Sequence, residues 1–178
     1  MLRRFLIFTY LSSLPAAYHS AAAITQPVQV KNSCQSDPHF RDFDFWLGHW
    51  SVKTNQNGQA AGKNIIKKSE ADCLITEQWT NTQGGTGFSI NYYNPASKLW
   101  RQVWVSAPGV EIDYTGGLNK DGQMVLTGTI TTYQTGQINP FRGTWTPNAD
   151  GTVRQLFEQQ AIDGTWSVWF DGIYTRIK

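Results

Sequence analysis

Turn-forming residues recur at short intervals from Phe45 onward, and they limit the segments between them to lengths typical of β-strands. Apolar and polar residues alternate in these segments with a period of two, most clearly in residues 110–115, as expected for strands with one buried face. No stretch has the pattern of an amphipathic helix of ordinary length, although residues 38–45 are candidates for one or two helical turns. The sequence therefore predicts an all-β fold. The turn markers are Asn57-Gly58, Gly84-Gly85, Asn94-Pro95, Pro108-Gly109, Asp121-Gly122, Pro140, Asp150-Gly151 and Asp163-Gly164.

The segments number about ten, and this count favours a closed barrel. An open sheet of that size would leave two long, aromatic-rich edges free to pair with other chains, whereas closure removes both edges. We therefore expect a single antiparallel up-and-down β-barrel, which either fills its interior with side chains or holds one small ligand. The strands are expected to start near Trp46, Ala61, Cys73, Gly87, Leu99, Val110, Gln123, Phe141, Thr152 and Trp166.

The first 23 residues have the three parts of a secretory signal peptide. Two arginines, Arg3 and Arg4, precede an apolar run that begins at Phe5, and small residues lead to a cleavage site near Ala23. The run is too short to span a bilayer, which takes about 20 apolar residues. We therefore expect a secreted or periplasmic protein without stable membrane insertion: residues 1–23 form the signal peptide, residues 24–44 a lead-in with a short helical turn, and residues 45–178 the barrel.

The net charge of the chain depends on the expected signal peptide. The full sequence has 15 Lys and Arg against 13 Asp and Glu, a net charge of +2. Removal of Arg3 and Arg4 leaves a formally neutral body whose basic residues are scattered. Electrostatic capture of a nucleic acid is therefore not expected. No glycine-rich phosphate-binding motif and no set of metal ligands with suitable spacing is found, so no cofactor or metal site is predicted.

The chain has two cysteines, Cys34 and Cys73, and their expected state depends on the compartment in which the protein resides. In an oxidising environment a disulfide is favoured over a metal site or a nucleophile. A loop of this size adds roughly 3 to 4 kcal/mol of stability by the chain-entropy model. The alternative, two unpaired buried thiols, stays open.

A motif at residues 43–50, with the sequence FDFWLGHW, resembles known proteins. Its Gly48-x-Trp50 element is similar to the signature of the calycin superfamily, in which the Trp closes the narrow end of a barrel and an Arg from the last strand packs over it. The resemblance assigns these roles to Trp50 and Arg176.

The longer string resembles a family of secreted bacterial lipocalin-like proteins of unknown function with an FDFWxGxW opening. Residues 73–79, 99–104, 142–151 and 153–155 are also similar to that family, whereas His49 and Phe157 depart from it. The resemblance implies the fold, secretion and the disulfide, but no activity.

Aromatic residues dominate the candidate ligand-binding positions, since the chain contains eight Trp. We expect Trp46 and Trp50 to be structural, whereas Trp79, Trp100 and Trp104 either line a pocket or fill the core. Further candidates for such a pocket wall are Trp145, Trp166 and Trp169. Polar residues share strand faces with aromatic ones. If those faces point inward, the polar side chains become internal and must be paired or hydrogen-bonded. These polar residues are Glu77, Ser89 and Asn91 beside Tyr93, Gln102, Gln155 and Arg142.

A Glu77–Arg142 pair inside the barrel is the sharpest form of this expectation, since it would orient a polar ligand head. The alternative is that both charges are solvated. The leading functional hypothesis is that the barrel binds a small, partly apolar molecule.

An isomerase, cyclase or lyase that uses Glu77, Arg142 and Gln102 is the first alternative. Carboxylate pairs drawn from Glu77, Glu158 and Asp171 are conceivable, but no catalytic residue is assigned. The second alternative is a structural envelope protein with a packed interior, which predicts an internal void below about 300 Å³.

Overall fold

A computed structural model describes residues 33–107 and 109–177. The expected signal peptide and residues 24–32 of the lead-in lie outside the described residues. A short helix α1, Ser33–Ser36, is followed by 3₁₀ helices at Pro38–Arg41 and Asp44–Trp46, so the predicted helical turns before the first strand are confirmed. The ten strands are β1 Gly48–Thr54, β2 Ala60–Ser69, β3 Leu74–Asn81, β4 Thr86–Asn94, β5 Leu99–Ser106, β6 Val110–Leu118, β7 Met124–Thr132, β8 Gln137–Pro147, β9 Val153–Gln160 and β10 Trp166–Arg176; a third 3₁₀ helix, Glu70–Asp72, lies between β2 and β3.

The strands form a closed barrel in which each strand pairs antiparallel with its neighbours in the sequence. β10 closes the barrel against β1, with Trp50 opposite Arg176 and Thr54 opposite Gly172. The predicted up-and-down barrel is therefore confirmed, and the architecture is compatible with a lipocalin-like or calycin-like fold. None of the helices in the described residues combines the length and the apolar character that a membrane crossing requires.

The eighth strand differs most from its predicted start. It begins at Gln137 rather than near Phe141, so Pro140 lies within a strand instead of marking a turn. Pro140 pairs with Thr129 of β7, whereas the pairing of β8 with β9 begins only at Phe141. A residue without a backbone N–H therefore interrupts no bond to β9, which is the situation in which a strand tolerates proline.

One end of the barrel, called here the closed end, is covered by residues 33–47. Phe43 and Trp46 are fully buried there, with ring centroids 4.9 Å apart, and Trp145 lies 5.1 Å from Phe43. The predicted disulfide is present: Cys34 and Cys73 join this segment to the connection between β2 and β3. Burial of large aromatic rings against one another makes this end a packed core.

Trp50 and Arg176 meet at the same end. The guanidinium carbon of Arg176 lies 4.4 Å from the centre of the Trp50 ring, and Nη1 donates a hydrogen bond of 2.7 Å to the carbonyl of Leu47. Gly48 precedes them with φ +139°, and a Cβ at this position would collide with the Arg176 side chain. The glycine of the G-x-W element therefore makes room for the arginine.

The opposite end, called here the open end, is formed by the connections β1–β2, β3–β4, β5–β6, β7–β8 and β9–β10. Glycines on its walls let aromatic rings lie against the backbone, because a Cβ at Gly62 would overlap the Trp79 ring and a Cβ at Gly87 would overlap the Trp104 ring. The large rings of this end are therefore held against the wall.

A β-bulge in β10 adds further aromatic surface to the open end. Val168 pairs with Glu158 and Phe170 with Phe157, which leaves Trp169 as the extra residue. The Trp169 ring lies 6.4 Å from Trp104 and 6.2 Å from Phe157, and the Phe170 ring lies 6.0 Å from Trp79. Because a bulge breaks the alternation of a strand, two consecutive side chains face the interior.

Candidate functional site

A cavity of about 250 Å³ lies inside the open end of the barrel. Six aromatic side chains form most of its wall, and one carboxylate, that of Glu77, lines it. A second cavity of about 210 Å³ at the rim shares Trp79, Asn81, Trp104 and Trp169 with the first. The volume of the inner cavity is below the limit of about 300 Å³, as the packed-interior alternative predicts, so the case for a ligand site rests on the polar groups of the wall. Its wall consists of Trp79, Trp104, Phe157, Trp169 and Phe170 with Ala61, Ile112, Glu77, Asn81, Gln155 and Tyr174.

Glu77 is positioned by the inward face of β3, which it shares with Ile75 and Trp79. Its side chain is 4% exposed. The Nδ2 of Asn64 donates to Oε1 at 2.6 Å, and the hydroxyl of Ser89 donates to Oε2 at 2.7 Å. Register explains both contacts. Ser89 of β4 lies directly opposite Glu77, and Asn64 of β2 lies opposite Trp79, on the same face and two residues along β3. Each carboxylate oxygen therefore has one donor from a neighbouring strand.

A chain of hydrogen bonds reaches Glu77 from the far wall of the barrel. The hydroxyl of Tyr114 donates to Oε1 of Gln102, whose Nε2 donates to Oδ1 of Asn91. Asn91 in turn donates to the Ser89 hydroxyl at 2.9 Å, and Ser89 donates to Glu77. All five side chains are at most 4% exposed. Every donor in this chain is directed toward the carboxylate, and such aligned bonds reinforce one another.

A second branch leaves Glu77 through Asn64. Besides its bond to Glu77, Nδ2 of Asn64 lies 3.4 Å from the Tyr174 hydroxyl, which donates to Oε1 of Gln155. Oδ1 of Asn64 is buried and has no hydrogen-bond donor among the described residues. Since a buried carbonyl oxygen without a donor is costly, the surroundings of Glu77 have an excess of acceptors.

Burial sets the electrostatics of the site. It raises the pKa of Glu77 from 4.5 to about 6, although the hydrogen bonds from Asn64 and Ser89 lower it. Burial, followed by the negative charge of Glu77, raises the pKa of both Tyr114 and Tyr174 well above 10. At neutral pH the carboxyl of Glu77 is therefore ionised in most molecules, whereas both phenols keep their protons.

Arg142 does not join this site. Phe141, Gly143 and Trp145 are the buried residues of β8, so the side chain between them points outward. There Arg142 binds Glu158 through Nε at 2.7 Å and Nη2 at 2.9 Å, and it lies 4.3 Å from the centre of the Trp166 ring. The predicted internal Glu77–Arg142 pair is therefore wrong.

The other two candidate carboxylates also lie on the outer face. Glu158 is bound by Arg142, and Asp171 accepts two hydrogen bonds of 2.9 Å from Arg154. Among the described residues, Glu77 is thus the one carboxylate on the cavity wall. A pair of carboxylates drawn from Glu77, Glu158 and Asp171 does not meet in the cavity.

The structure divides the remaining predicted site residues into three groups. Trp79, Trp104 and Gln155 line the cavity together with Glu77. Asn91 and Gln102 lie in the hydrogen-bond chain beneath it.

The third group, Tyr93 and Trp100, belongs to the closed end. The Trp100 ring lies 5.7 Å from Phe43, and the Tyr93 ring 5.3 Å from Phe40. Both residues also border a depression of about 580 Å³ beside residues 38–42. That depression is larger than the open-end cavity, but the carboxylate on its wall, that of Asp42, is partly exposed to solvent and lies 3.3 Å from the exposed His39 ring. Because it presents no buried charge to an occupant, we regard it as a weaker candidate site.

Several residues of the site were not among the predicted binding positions. They are Asn64, Tyr114 and Tyr174 of the polar network and Phe170 of the aromatic wall. Ser89 and Trp169, which the sequence did offer as candidates, complete the network and the wall. Asn64 shares one face of β2 with Gly62 and Ile66, and this position was a usable signal that its amide points into the barrel. No comparable signal marks the bulge at Trp169, because no glycine or turn pair accompanies it.

Neither protein-family models nor curated proteins provide a match to this chain. Within the described residues, no group of three or more His, Cys, Asp or Glu side chains is arranged to hold a metal ion. The site therefore has to be interpreted from its own geometry.

Proposed function

We propose that this chain binds a small, partly apolar molecule in the open-end cavity of its barrel. The observation that carries the proposal is the buried Glu77 carboxylate at the base of an aromatic wall. Ligand sites are mostly apolar and contain a few polar groups that fix the orientation of the ligand. Trp79, Trp104 and Phe170 provide the apolar surface here, and Glu77 with Gln155 provides the polar groups.

The cavity volume limits the occupant. At about 250 Å³ the inner cavity is below the roughly 300 to 1,000 Å³ of pockets for drug-sized ligands. The rim cavity, which shares three tryptophans with it, offers room for a part of the molecule that extends toward solvent. We therefore expect a compact ligand with a polar group at Glu77 and an apolar body among the rings.

The protein is proposed to act outside the cytoplasm, as a member of the secreted lipocalin-like proteins that it resembles. The signal-like residues 1–23 support this proposal. The Cys34–Cys73 disulfide supports it as well, since disulfides persist in oxidising compartments.

The binding proposal is tested by native mass spectrometry of protein purified from its own host, with two matched variants. Ala61 lines the cavity, whereas its neighbour Ala60 is exposed and outside that wall. We expect wild type and Ala60→Phe to carry a small molecule and Ala61→Phe to lose it, because the new ring fills the cavity. A wild-type protein that is empty, and whose tryptophan fluorescence does not respond to ligand screens, would contradict the proposal.

An enzyme is the second candidate, and the raised pKa of Glu77 in a cavity favours it. A carboxyl group that titrates at about 6 is suited to transferring a proton near neutral pH. Arg142 is absent from the cavity, so such a mechanism rests on Glu77, with Gln155 and Tyr174 as polar neighbours. The enzyme predicts chemical conversion of the co-purified molecule, detected by mass spectrometry, and loss of conversion in Glu77→Gln; release of an unchanged molecule favours binding alone.

A further inference from the structure

We propose that the occupant of the open-end cavity is a small organic cation, an ammonium group on a partly apolar body, with Glu77 as its counter-ion. This inference rests on the proposed binding function and names the chemical class of the ligand. It follows from three features of the site: an unbalanced charge, the direction of the hydrogen bonds, and the aromatic walls.

The negative charge of Glu77 has no internal partner. Neither the buried polar residues nor the cavity wall includes a Lys, Arg or His among the residues that the structure describes. All five described arginines are engaged elsewhere. A buried charge without a partner costs several kcal/mol, and a cation from outside the chain would offset that cost. The arginine partners are Asp44 and Asp72 for Arg41, Asp113 for Arg101, Glu158 for Arg142, Asp171 for Arg154 and the Trp50 ring for Arg176.

The hydrogen bonds around Glu77 are arranged for the ionised form. Ser89 accepts a bond from Asn91, so its own proton is free to point at Glu77 Oε2. Asn64 directs its Nδ2 at Oε1. Both donors would lose part of their value if the carboxyl carried a proton. Since a carboxylate has about four acceptor sites and two are used, capacity remains for the N–H donors of a ligand.

The aromatic walls favour a positive charge over a neutral or negative one. In the cavity wall, Trp79 and Phe170 meet in an edge arrangement with centroids 6.0 Å apart. Trp104 and Trp169 form a second edge pair with centroids 6.4 Å apart. Ring faces attract cations, most strongly those of Trp and in sites that exclude water. An anion would instead be repelled by Glu77, and a neutral molecule would leave the charge of Glu77 unpaired.

The pairing predicts that binding depends on pH. The titratable groups that face Glu77 are Tyr114 of β6 and Tyr174 of β10, and the pKa of each lies well above 10. The inward residues that contact it from β2 and β4, Asn64 and Ser89, do not titrate. Between pH 5 and 7.5 the change in the site is therefore that of Glu77, whose pKa is about 6. Affinity for a cation falls as Glu77 takes up a proton.

Three probes with a similar body and different charge test the inference: 2-phenylethylammonium, neutral 2-phenylethanol and anionic 3-phenylpropanoate. Their dissociation constants are measured by isothermal titration calorimetry and by the indole N–H shifts of the tryptophans. At pH 7.5 we expect wild type to bind the ammonium at least about tenfold more tightly than either analogue. At pH 5 the affinity for the ammonium should fall about tenfold, whereas that for the alcohol stays unchanged.

Two variants separate the role of Glu77 from a general charge effect. Glu77→Gln should abolish the preference for the ammonium, whereas Glu158→Gln, which removes an equal charge from the outer face, should retain it. Circular dichroism checks that both variants fold, and the pH dependence of wild type tests the inference without any substitution. Equal or tighter binding of the alcohol or the anion would overturn the ammonium inference while sparing the binding function. No binding of any probe at millimolar concentration would overturn the ammonium inference, and together with an empty protein in native mass spectrometry it would overturn the binding function as well.

Discussion

The two ends of this barrel are built from the same kinds of residue but differ in how closely their side chains pack and in how their polar groups are hydrogen-bonded. At the closed end Phe43, Trp46 and Trp145 are fully buried against one another. At the open end Trp169 is 43% exposed, and the rings surround a cavity with an ionised carboxylate at its base. Aromatic content therefore does not distinguish a core from a ligand site. The polar groups among the rings do.

The polar groups of the two ends differ in the same way. Three buried indole N–H groups near the closed end, those of Trp46, Trp100 and Trp145, have no acceptor among the described residues. Dense packing there outweighs the hydrogen bonds that are lost. Beneath the open-end cavity, in contrast, eight side chains, with Glu77 at their centre, form one hydrogen-bonded network. The closed end thus provides stability, and the open end is organised around one charge.

Removal of a ring from the closed end should have the largest effect on stability. Trp145→Ala creates a cavity among Phe43, Tyr114 and Phe157, whose rings lie 5.1 to 6.0 Å from it. We expect a loss of about 3 to 5 kcal/mol in the free energy of unfolding, measured by urea denaturation. A loss below about 1 kcal/mol would contradict the assignment of this end as the packed core.

Removal of the disulfide should come next. The bond ties the covering segment to the barrel across 39 residues of sequence separation. The double substitution Cys34→Ala with Cys73→Ala should cost roughly 3 kcal/mol in urea denaturation. Because the bond lies at the closed end, affinity of the folded variant for 2-phenylethylammonium should stay within about twofold of wild type. A much weaker affinity would show that the two ends are not independent.

The pH dependence of stability tests whether Glu77 is buried in its ionised form, and its expected effect is smaller than that of removing the disulfide. The pKa of Glu77 is raised in the folded protein from 4.5 to about 6, so its contribution to stability is present below pH 4.5 and is lost as pH rises through 6. Glu77→Gln removes this loss. The stability of the variant relative to wild type should therefore increase by about 2 kcal/mol between pH 4 and pH 7. A difference that does not change with pH would contradict burial of an ionised Glu77.

The smallest effect on stability is expected at the open end. Trp169→Ala truncates a ring that is nearly half exposed, so we expect a loss below about 1 kcal/mol in urea denaturation. The same variant should bind 2-phenylethylammonium more weakly, since part of the wall is gone. A loss of stability close to that of Trp145→Ala would show that the open end is also a packed core.

Much of the fold could be predicted because the signals are local. Turn pairs and alternation located the strands. The contact between Trp50 and Arg176 joins the two ends of the barrel sequence, and it was expected only from the resemblance of the G-x-W element to the calycin signature. Arg142 was misplaced although β8 contains the correcting signal: Phe141 and Trp145 share one parity and Arg142 has the other. The site itself depends on register across several strands and on the bulge at Trp169. Neither can be obtained from a single strand, because register is defined only between two strands and a bulge interrupts the alternation within one.

The eight tryptophans provide the most direct test of the account, because each has one indole N–H signal in a two-dimensional NMR spectrum. The protein is titrated with 2-phenylethylammonium and, in parallel, with 2-phenylethanol. The account predicts that the signals of Trp79, Trp104 and Trp169 shift, with the larger effect from the ammonium, while those of Trp46, Trp50, Trp100, Trp145 and the outer Trp166 do not. Shifts confined to the closed-end tryptophans, or no shifts with either probe, would contradict it.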